Sequence, residues 1–418
     1  MPPSPPVASR SRFRAFLVWL RTAHTSVIFI CSLISGLFVG AVVIVLTIPA
    51  SRSSWGQLFS HPTHTFSVTG DTLGNAYGAL LSGAFGTPSV FGHAITHFSL
   101  ASWSVALSPV GSTITTAVPL AISGMGLAIA YRSGVFNIGA ASQLIGGGIL
   151  ASWVGFSLGS LPMPLHVALG LLAGAVGGFI GGLVPGVLKI TTGANEVIVG
   201  IMLNYAMVGV LTYLISDTFF SELAGASPEG RVTLPTGSLP YLFGSVVGID
   251  TGVIVAVIAL IFGWLLLSRS RLGFEFELFG GSPGAARLAG IRQRRVFLVS
   301  FCVSGAVVGL AGAVEIIGVQ HQLQSTFGGD LGVLAITVAF VGRNRPLGIV
   351  LASILYGVLQ NGGLNMQGVA GVSYQLSTVI EAIIVLFMIA PALVTELYRL
   401  RPALNASGAL SLSRGWGQ

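Results

Sequence analysis

The chain has 418 residues, of which 53% are hydrophobic and 7% charged, whereas an ordinary soluble domain carries about 25% charged residues. That composition excludes a soluble enzyme, and the apolar residues that fill the chain between its 58 glycines exclude a disordered polypeptide. The formal charge of +7 comes from 19 basic and 12 acidic residues gathered at the ends of apolar stretches, a pattern of membrane topology and not of nucleic-acid binding.

Lipid offers no partners for backbone N–H and C=O groups, so spans must be helices or closed barrels. These runs are too long and too rich in Leu, Ala and Gly for barrel strands. The predicted fold class is therefore all-α: a polytopic membrane helix bundle with about ten transmembrane segments. Residues 1–26, with Arg10, Arg12, Arg14 and Arg21, read as a cytoplasmic tail. The first apolar run, 27–48, is uncharged. It is longer than a secretory core of about 7–15 residues and reaches the roughly 20 needed to span a bilayer, so it reads as an uncleaved helix. Residues 49–110 form an extracytoplasmic segment in which 73–108 are candidates for interfacial helices. Further spans follow at 111–131, 139–157, 165–187, 194–215, 250–268, 296–319, 330–342, 347–361 and 375–394. The eighth and ninth are too short to cross straightforwardly.

Charge orients the bundle, since Arg and Lys favour cytoplasmic loops. Arg269, Arg271, Arg287, Arg292, Arg294 and Arg295 place the loop 269–295 inside; the segment 216–249, with Glu222, Glu229 and only Arg231, fits the outside. Ten crossings then leave the tail 396–418, with Arg399, Arg401 and Arg414, inside with the N-terminus. An internal echo points to duplicated halves: Leu127–Tyr131, leading into Phe136-Asn137-Ile138-Gly139, resembles Ile336–Phe340, leading into Pro346-Leu347-Gly348, 209 positions on. Transporters are often built this way, with broken helices meeting at the substrate site.

The chemistry available is limited. Lys189 is the one lysine, so there is no G-x-x-x-x-G-K-[ST] phosphate loop. His61 and His64, and His93 and His97, have spacings that could share a helical face toward a metal, but their polar setting with few acids favours surface histidines. Cys31 and Cys302 lie in apolar stretches and read as packing residues. Gly170, Gly174, Gly178, Gly182 and Gly186 recur every fourth residue, and Gly305, Gly309 and Ala313 repeat the pattern. Such small-residue stripes let helix backbones approach closely in lipid, so both helices are expected in the tight interior.

Three polar segments are informative. Tyr131–Gly139, followed by Gln143, is a Gly-flanked break of the kind that opens backbone groups toward a cavity, or a plain turn anchored by Arg132. In Ala194–Tyr205, Glu196, Gly200 and Asn204 fall within about 80° on one helical face, which should line a pathway or a helix contact; Glu196 could instead cap its helix. In the segment 280–295, Pro283 can start a short helix through Ala289, with Gly290 ending it. Its Ala-rich face suits docking into another protein.

At these segments the chain resembles the permease subunit of a bacterial ATP-binding-cassette importer, of the family serving simple sugars, nucleosides and branched-chain amino acids. Arg132–Ala140 with Gln143, and Ala194–Ile198 with Met202–Tyr205, are similar to its nucleoside and simple-sugar branch. Pro283, Ala285, Ala286, Arg287, Gly290 and Ile291 fall in a segment that looks like the ATPase-coupling loop. Ser304-Gly305, Gly309–Glu315 and Gly342–Ile349 continue the likeness, which covers roughly residues 73–395 of a transmembrane permease domain at 27–395. The chain departs from the pattern at Ala141-Ser142, where Glu-Gly is common. It departs again at Ser282-Pro283-Gly284, where the family often has Asn-Pro-Glu, and at Leu334, where an Asp is common.

The resemblance implies cytoplasmic ATPase subunits that bind the ATP, with no cofactor in this chain. It also implies a second permease subunit, identical or homologous, an extracytoplasmic substrate-binding protein, a nucleoside or sugar substrate, and a place in the bacterial cytoplasmic membrane. It implies no enzyme activity. The neutral, hydroxyl-rich substrate suits Asn137, Gln143, Asn204 and Asn361 as pathway residues, with Glu196 beside them. The alternative, an ion-coupled secondary transporter, needs a buried titratable carboxylate, for which Glu315 and Glu381 are the candidates.

Overall fold

The structure is a computed structural model that describes residues 25–217, 219–221 and 228–399. Apart from 25–26 and 396–399, the two expected tails lie outside the described residues, as does Glu222. Helices α1 (Thr25–Thr47), α2 (Pro49–Trp55), α3 (Pro62–Phe85), α4 (Pro88–His97) and α5 (Leu100–Arg132) come first. Then follow α6 (Ala140–Ser157), α7 (Met163–Thr192), α8 (Glu196–Asp217), α9 (Gly252–Arg269), α10 (Arg271–Gly281) and α11 (Pro283–Leu288). Helix α12 (Gln293–Val314) runs on as a π-helical turn, Glu315–Gln320, before α13 (Gly329–Val341), α14 (Pro346–Ala370), α15 (Tyr374–Ile389) and α16 (Pro391–Leu397). Among the described residues the only extended pairing consists of isolated bridges such as Ser221 with Gly230.

Nine of the ten expected spans each fall on one continuous helix, with corrections to several bounds, whereas the tenth, 375–394, is divided at Ala390 between α15 and α16, where Pro391 starts a new helix. Seven helices (α1, α5, α7, α8, α9, α12 with its π turn, and α14) are long and apolar enough to cross a membrane. The ninth span is not short: α14 has 25 residues, because its polar stretch Gln360–Asn365 continues the helix instead of ending it. The eighth is short, at 13 residues in α13. The second begins earlier than expected, since Ser99 and Ser102 form a capping box that starts a helix of 33 residues. Segment 73–108 is helical almost throughout.

The described residues form two compact units, residues 25–76 with 370–399, and residues 77–369. In the first, α1 packs on α15 at Gly36, where a methyl group would come within 2.6 Å of Ile384 Cα. Ser32 Oγ donates to the Phe387 carbonyl at 3.0 Å, and Ser35 and Tyr398 hydroxyls are 3.0 Å apart. Glu381 is buried there, with Oε1 unpaired.

The second unit is built on α6, α7 and α12. A Cβ at Gly178 would overlap the carbonyl oxygen of Gly305, one at Gly309 the carbonyl of Gly174, and one at Gly147 the backbone of Gly309. The glycine stripes of α7 and α12 therefore face each other, and α6 lies against both. Because lipid tails are as apolar as the side chains, this close van der Waals contact is what holds such helices together. The segment before α9 folds over one end of the unit: Thr233 N–H donates to the His321 carbonyl and Leu239 N–H to that of Ile317, both at 2.8 Å. Buried His166 ties it down, accepting at Nδ1 from Thr236 and donating from Nε2 to the Val154 carbonyl at 2.9 Å.

Gly309→Leu is expected to cost more than the roughly 1–3 kcal/mol of ordinary overpacking, because backbone and not side chain must move. Gly209 on α8 has nothing within 4 Å of its Cβ position, so Gly209→Leu should leave stability within about 0.5 kcal/mol of the parent. Thermal unfolding of the two purified variants in detergent checks this, and equal melting temperatures would refute it.

Candidate functional site

The break after α5 is built from its own polar side chains. Buried Asn137 donates from Nδ2 to Gln143 Oε1 and to Ser304 Oγ, both at 3.0 Å. Its Oδ1 accepts from Gly139 N–H at 3.1 Å and from Gln143 Nε2 at 3.2 Å. Asn204 on α8 donates to the Ile138 carbonyl at 3.0 Å and accepts from Ser142 N–H at 2.9 Å. These bonds satisfy backbone groups that the interrupted helix leaves free at the start of α6, a requirement inside lipid. Gly200 lies against Gly139, so the expected face of α8 meets the break. Glu196 lies further along, paired with Lys189 at 2.6 Å. Asn361 on α14 stands elsewhere, donating to Thr116 Oγ1 at 3.0 Å.

Aromatic rings close the same region. Tyr131 stacks on Phe136 and on Phe340, the latter at 4.9 Å between centroids and 16° between planes. Tyr131 and Phe340 are the matching positions of the internal echo.

The arginine-rich loop folds as α10 and α11. Ser282 Oγ accepts from Ala285 N–H at 3.3 Å and caps α11, Pro283 occupies its first position, and Gly290 beyond it has φ +80°. The left-handed conformation at that stop is one a glycine adopts without strain. Ala286 is buried, Arg287 donates to Gln293 Oε1 at 2.9 Å, and Leu288 is 94% exposed. Ala285 and Gly290 are exposed and Ile291 is half-buried. Helix α10 supports the break: a Cβ at Gly280 would overlap the Arg132 carbonyl, and one at Gly134 would lie 3.1 Å from Gly280 Cα.

At the far end of α12 lies a cavity of about 290 Å³, near the lower end of the range for small-molecule sites. Glu315, Val319 and Gln320 of the π turn, Thr116 of α5, Gln360 of α14, and Thr326, Phe327, Gly328, Asp330, Leu331 and Leu334 line it. The π turn is closed by His321 N–H on the Ile316 carbonyl at 2.7 Å, with His321 at φ 58°. Such turns arise frequently at functional sites. Gln320 Nε2 donates to Glu315 Oε1 at 2.8 Å. Nearby Asp250, which precedes α9, is buried; burial pushes its carboxyl above the ordinary range, against the pull of Gly252 N–H and His321. Among the described residues no group of three or more His, Cys, Asp or Glu side chains could hold a metal ion.

Residues 110–390 match the family described as branched-chain amino acid transport system, permease component. The chain belongs to this permease family. The permease is 29% identical over 344 residues, 81% of this chain and 93% of the relative, to the nucleoside ABC transporter permease protein NupB of Lactococcus lactis. It is 34% identical over 327 residues, 77% of this chain and 87% of the relative, to the guanosine ABC transporter permease protein NupP of Bacillus subtilis. With the glucose ABC transporter permease protein TsgB13 of Haloferax volcanii it shares 31% identity over 285 residues, 66% of this chain and 74% of the relative. No solved structure matches the permease.

Of the cavity lining, sequence reading singles out Glu315 and Leu334 alone. Thr116, Gln320, Thr326, Phe327, Asp330 and Gln360 come from separate segments, and the one local signal was the polar interruption at 320–330 between two apolar runs. The network at Asn137 gives a prediction for this permease. Asn137→Ala leaves Gln143 buried with two partners lost, and an unsatisfied buried group costs about 1–3 kcal/mol. A lower melting temperature is expected, and an unchanged one would show that the network contributes nothing to stability.

Proposed function

We propose that this chain is the membrane-spanning subunit of an ATP-binding-cassette importer that carries nucleosides or related simple sugars inward. The observation that carries this reading is the cavity: two carboxylates, two carboxamides and two hydroxyls beside one phenyl ring, with no basic side chain on the wall. A ring sugar offers hydroxyls to those acceptors, and Phe327 offers a base or sugar ring an apolar face. The names carried by NupB, NupP and TsgB13 support the same substrate classes. Asn137, Gln143, Asn204 and Glu196 would belong to the inner part of the pathway, and Asn361 to the cavity wall through Thr116.

With Lys189 engaged by Glu196 and no phosphate loop, ATP would be bound by separate cytoplasmic subunits. Helix α11, with exposed Leu288 beside Arg287, is suited to dock into such a subunit. Displacement of α11 would pass through α10, whose Gly280 rests on the Arg132 carbonyl and Gly134, to the broken start of α6. ATP binding and hydrolysis would thereby shift the populations of inward-open and outward-open states. If the arginines of 269–295 lie inside, α12 rises about 33 Å from Gln293 to Glu315 and sets the cavity near the outer side of a hydrocarbon core about 30 Å thick. A binding protein would deliver substrate there. A second permease subunit, the bacterial cytoplasmic membrane and cytoplasmic termini complete the proposal.

Uptake of labelled uridine into proteoliposomes holding the permease with its ATPase, partner subunit and binding protein tests it. Accumulation should require ATP, be blocked by excess nucleoside and be insensitive to ribose. Competition by ribose would move the substrate to sugars, and accumulation without ATP that collapses with an ionophore would replace the importer with an ion-coupled transporter. Leu288→Glu, and Arg287→Ala combined with Gly290→Ala, should each reduce uptake to background while the protein still inserts. Normal uptake by both would remove the coupling role from α11.

A further inference from the structure

The cavity wall carries Glu315 and Asp330 and no arginine, lysine or histidine. Asp330 sits in the first turn of α13, where the positive end of the helix dipole stabilises a carboxylate. It thus occupies the position that would otherwise attract an anionic ligand. Gln320 is fixed by its bond to Glu315, and its Oε1 has no partner. What that arrangement wants from a solute is a donor. Behind the wall, the Asp250 carboxyl lies against Gly318 of the π turn, with His321 as the basic group of that corner. The sum is a small, partly enclosed space whose titratable wall groups are all carboxyls, with exposed Asp330 at its edge and no cation to pair with an anion, and low-dielectric walls focus the field of such a charge.

We infer that the cavity rejects anionic solutes, so that an uncharged nucleoside or sugar enters while its phosphate ester does not, with Glu315 and Asp330 as the specificity-determining residues. The identity of the solute rests on the importer reading, whereas the sign of the field does not. Phosphate would bring like charge against like, and the dipole of α13 is already neutralised by Asp330.

Two measurements separate the field from the substrate. Thr326 is exposed on the cavity wall, and Thr326→Cys, in the full chain carrying Cys31→Ala and Cys302→Ala and placed in vesicles, reports the local potential. Its rates with a cationic trimethylammonium and an anionic sulfonate methanethiosulfonate are each normalised to a free thiol. The cationic reagent should be favoured about tenfold or more, and the ratio should fall toward one in Glu315→Gln with Asp330→Asn. Should Glu315→Gln fail to fold, Asp330→Asn alone, at an exposed position, must still lower the ratio. A ratio near one before neutralisation, or one that neutralisation leaves unchanged, overturns the inference.

The second measurement compares uptake of labelled uridine and uridine 5′-monophosphate by the assembled importer. Uridine alone should accumulate, and uptake of the ester at a rate equal to uridine overturns the inference. Cation-favouring labelling without uridine uptake would uphold the field and refute the nucleoside reading; unbiased labelling with uridine uptake would do the reverse.

Discussion

Backbone contact between α7 and α12 is the constraint on which the second unit depends. At Gly174, Gly178, Gly305 and Gly309 no side chain separates the two helices, and α6 is drawn against them at Gly147. In lipid, where burying apolar surface gives little drive toward association, contact of this kind replaces the hydrophobic effect. Its consequence is geometric. With α12 fixed along its middle, Ser304 is held where Asn137 can donate to it, and the end of the helix is held where Glu315 meets the cavity.

Helix α12 therefore connects two kinds of polar chemistry. At the break, donors and acceptors satisfy each other: Asn137, Gln143 and Ser304 form a closed set, and Asn204 completes the start of α6. A satisfied network rigidifies. At the π turn the balance is different, since Gln320 Oε1, His321 Nδ1 and Asp250 Oδ2 are buried without partners and His321 has a left-handed backbone. Sparsely populated backbone conformations persist only where surrounding structure enforces them, and they gather at ligand sites and switches. One end of the helix is thus suited to transmit force and the other to respond to a solute.

Much of the fold was legible in the sequence because membrane helices obey a local rule. Length and apolarity select them, so the expected spans fall on helices, the tenth being broken at Ala390 ahead of Pro391. The pattern misleads where polar residues continue a helix: Gln360 and Asn361 read as the end of the ninth span, whereas they and Asn365 lie inside α14, with Asn365 donating to the Ala79 carbonyl at 2.7 Å. The small-residue stripes of α7 and α12 are visible as spacing, and Pro283 and Gly290 mark α11, which ends at Leu288, one residue before the expected Ala289, and whose Ser282 cap emerges only in the structure. The cavity was not visible. Its wall combines α5, the π turn, the 326–328 loop, α13 and α14, and a contact among residues more than two hundred positions apart leaves no periodic signal. The π turn is equally silent, since one residue of extra winding changes no composition.

The departures from the familiar pattern acquire a physical meaning here. Ala141 stands where a glutamate is common, and Leu334 where an aspartate is. Ala141 lies on α6 directly against Gly332 of α13, too close for a Cβ on the glycine. Leu334, two residues along α13 from that contact, faces the cavity. An acid at 141 would need room that Gly332 does not leave, and an acid at 334 would add a third carboxylate to a wall that already holds Glu315 and Asp330. Loss of both keeps α6 and α13 in tight apolar contact and limits the wall to two acids. The acids are then confined to the π turn, where Gln320 donates to Glu315, and to the first turn of α13, where the helix dipole stabilises Asp330. An uncharged solute gains acceptors there without the wall having to bury a charge that nothing compensates.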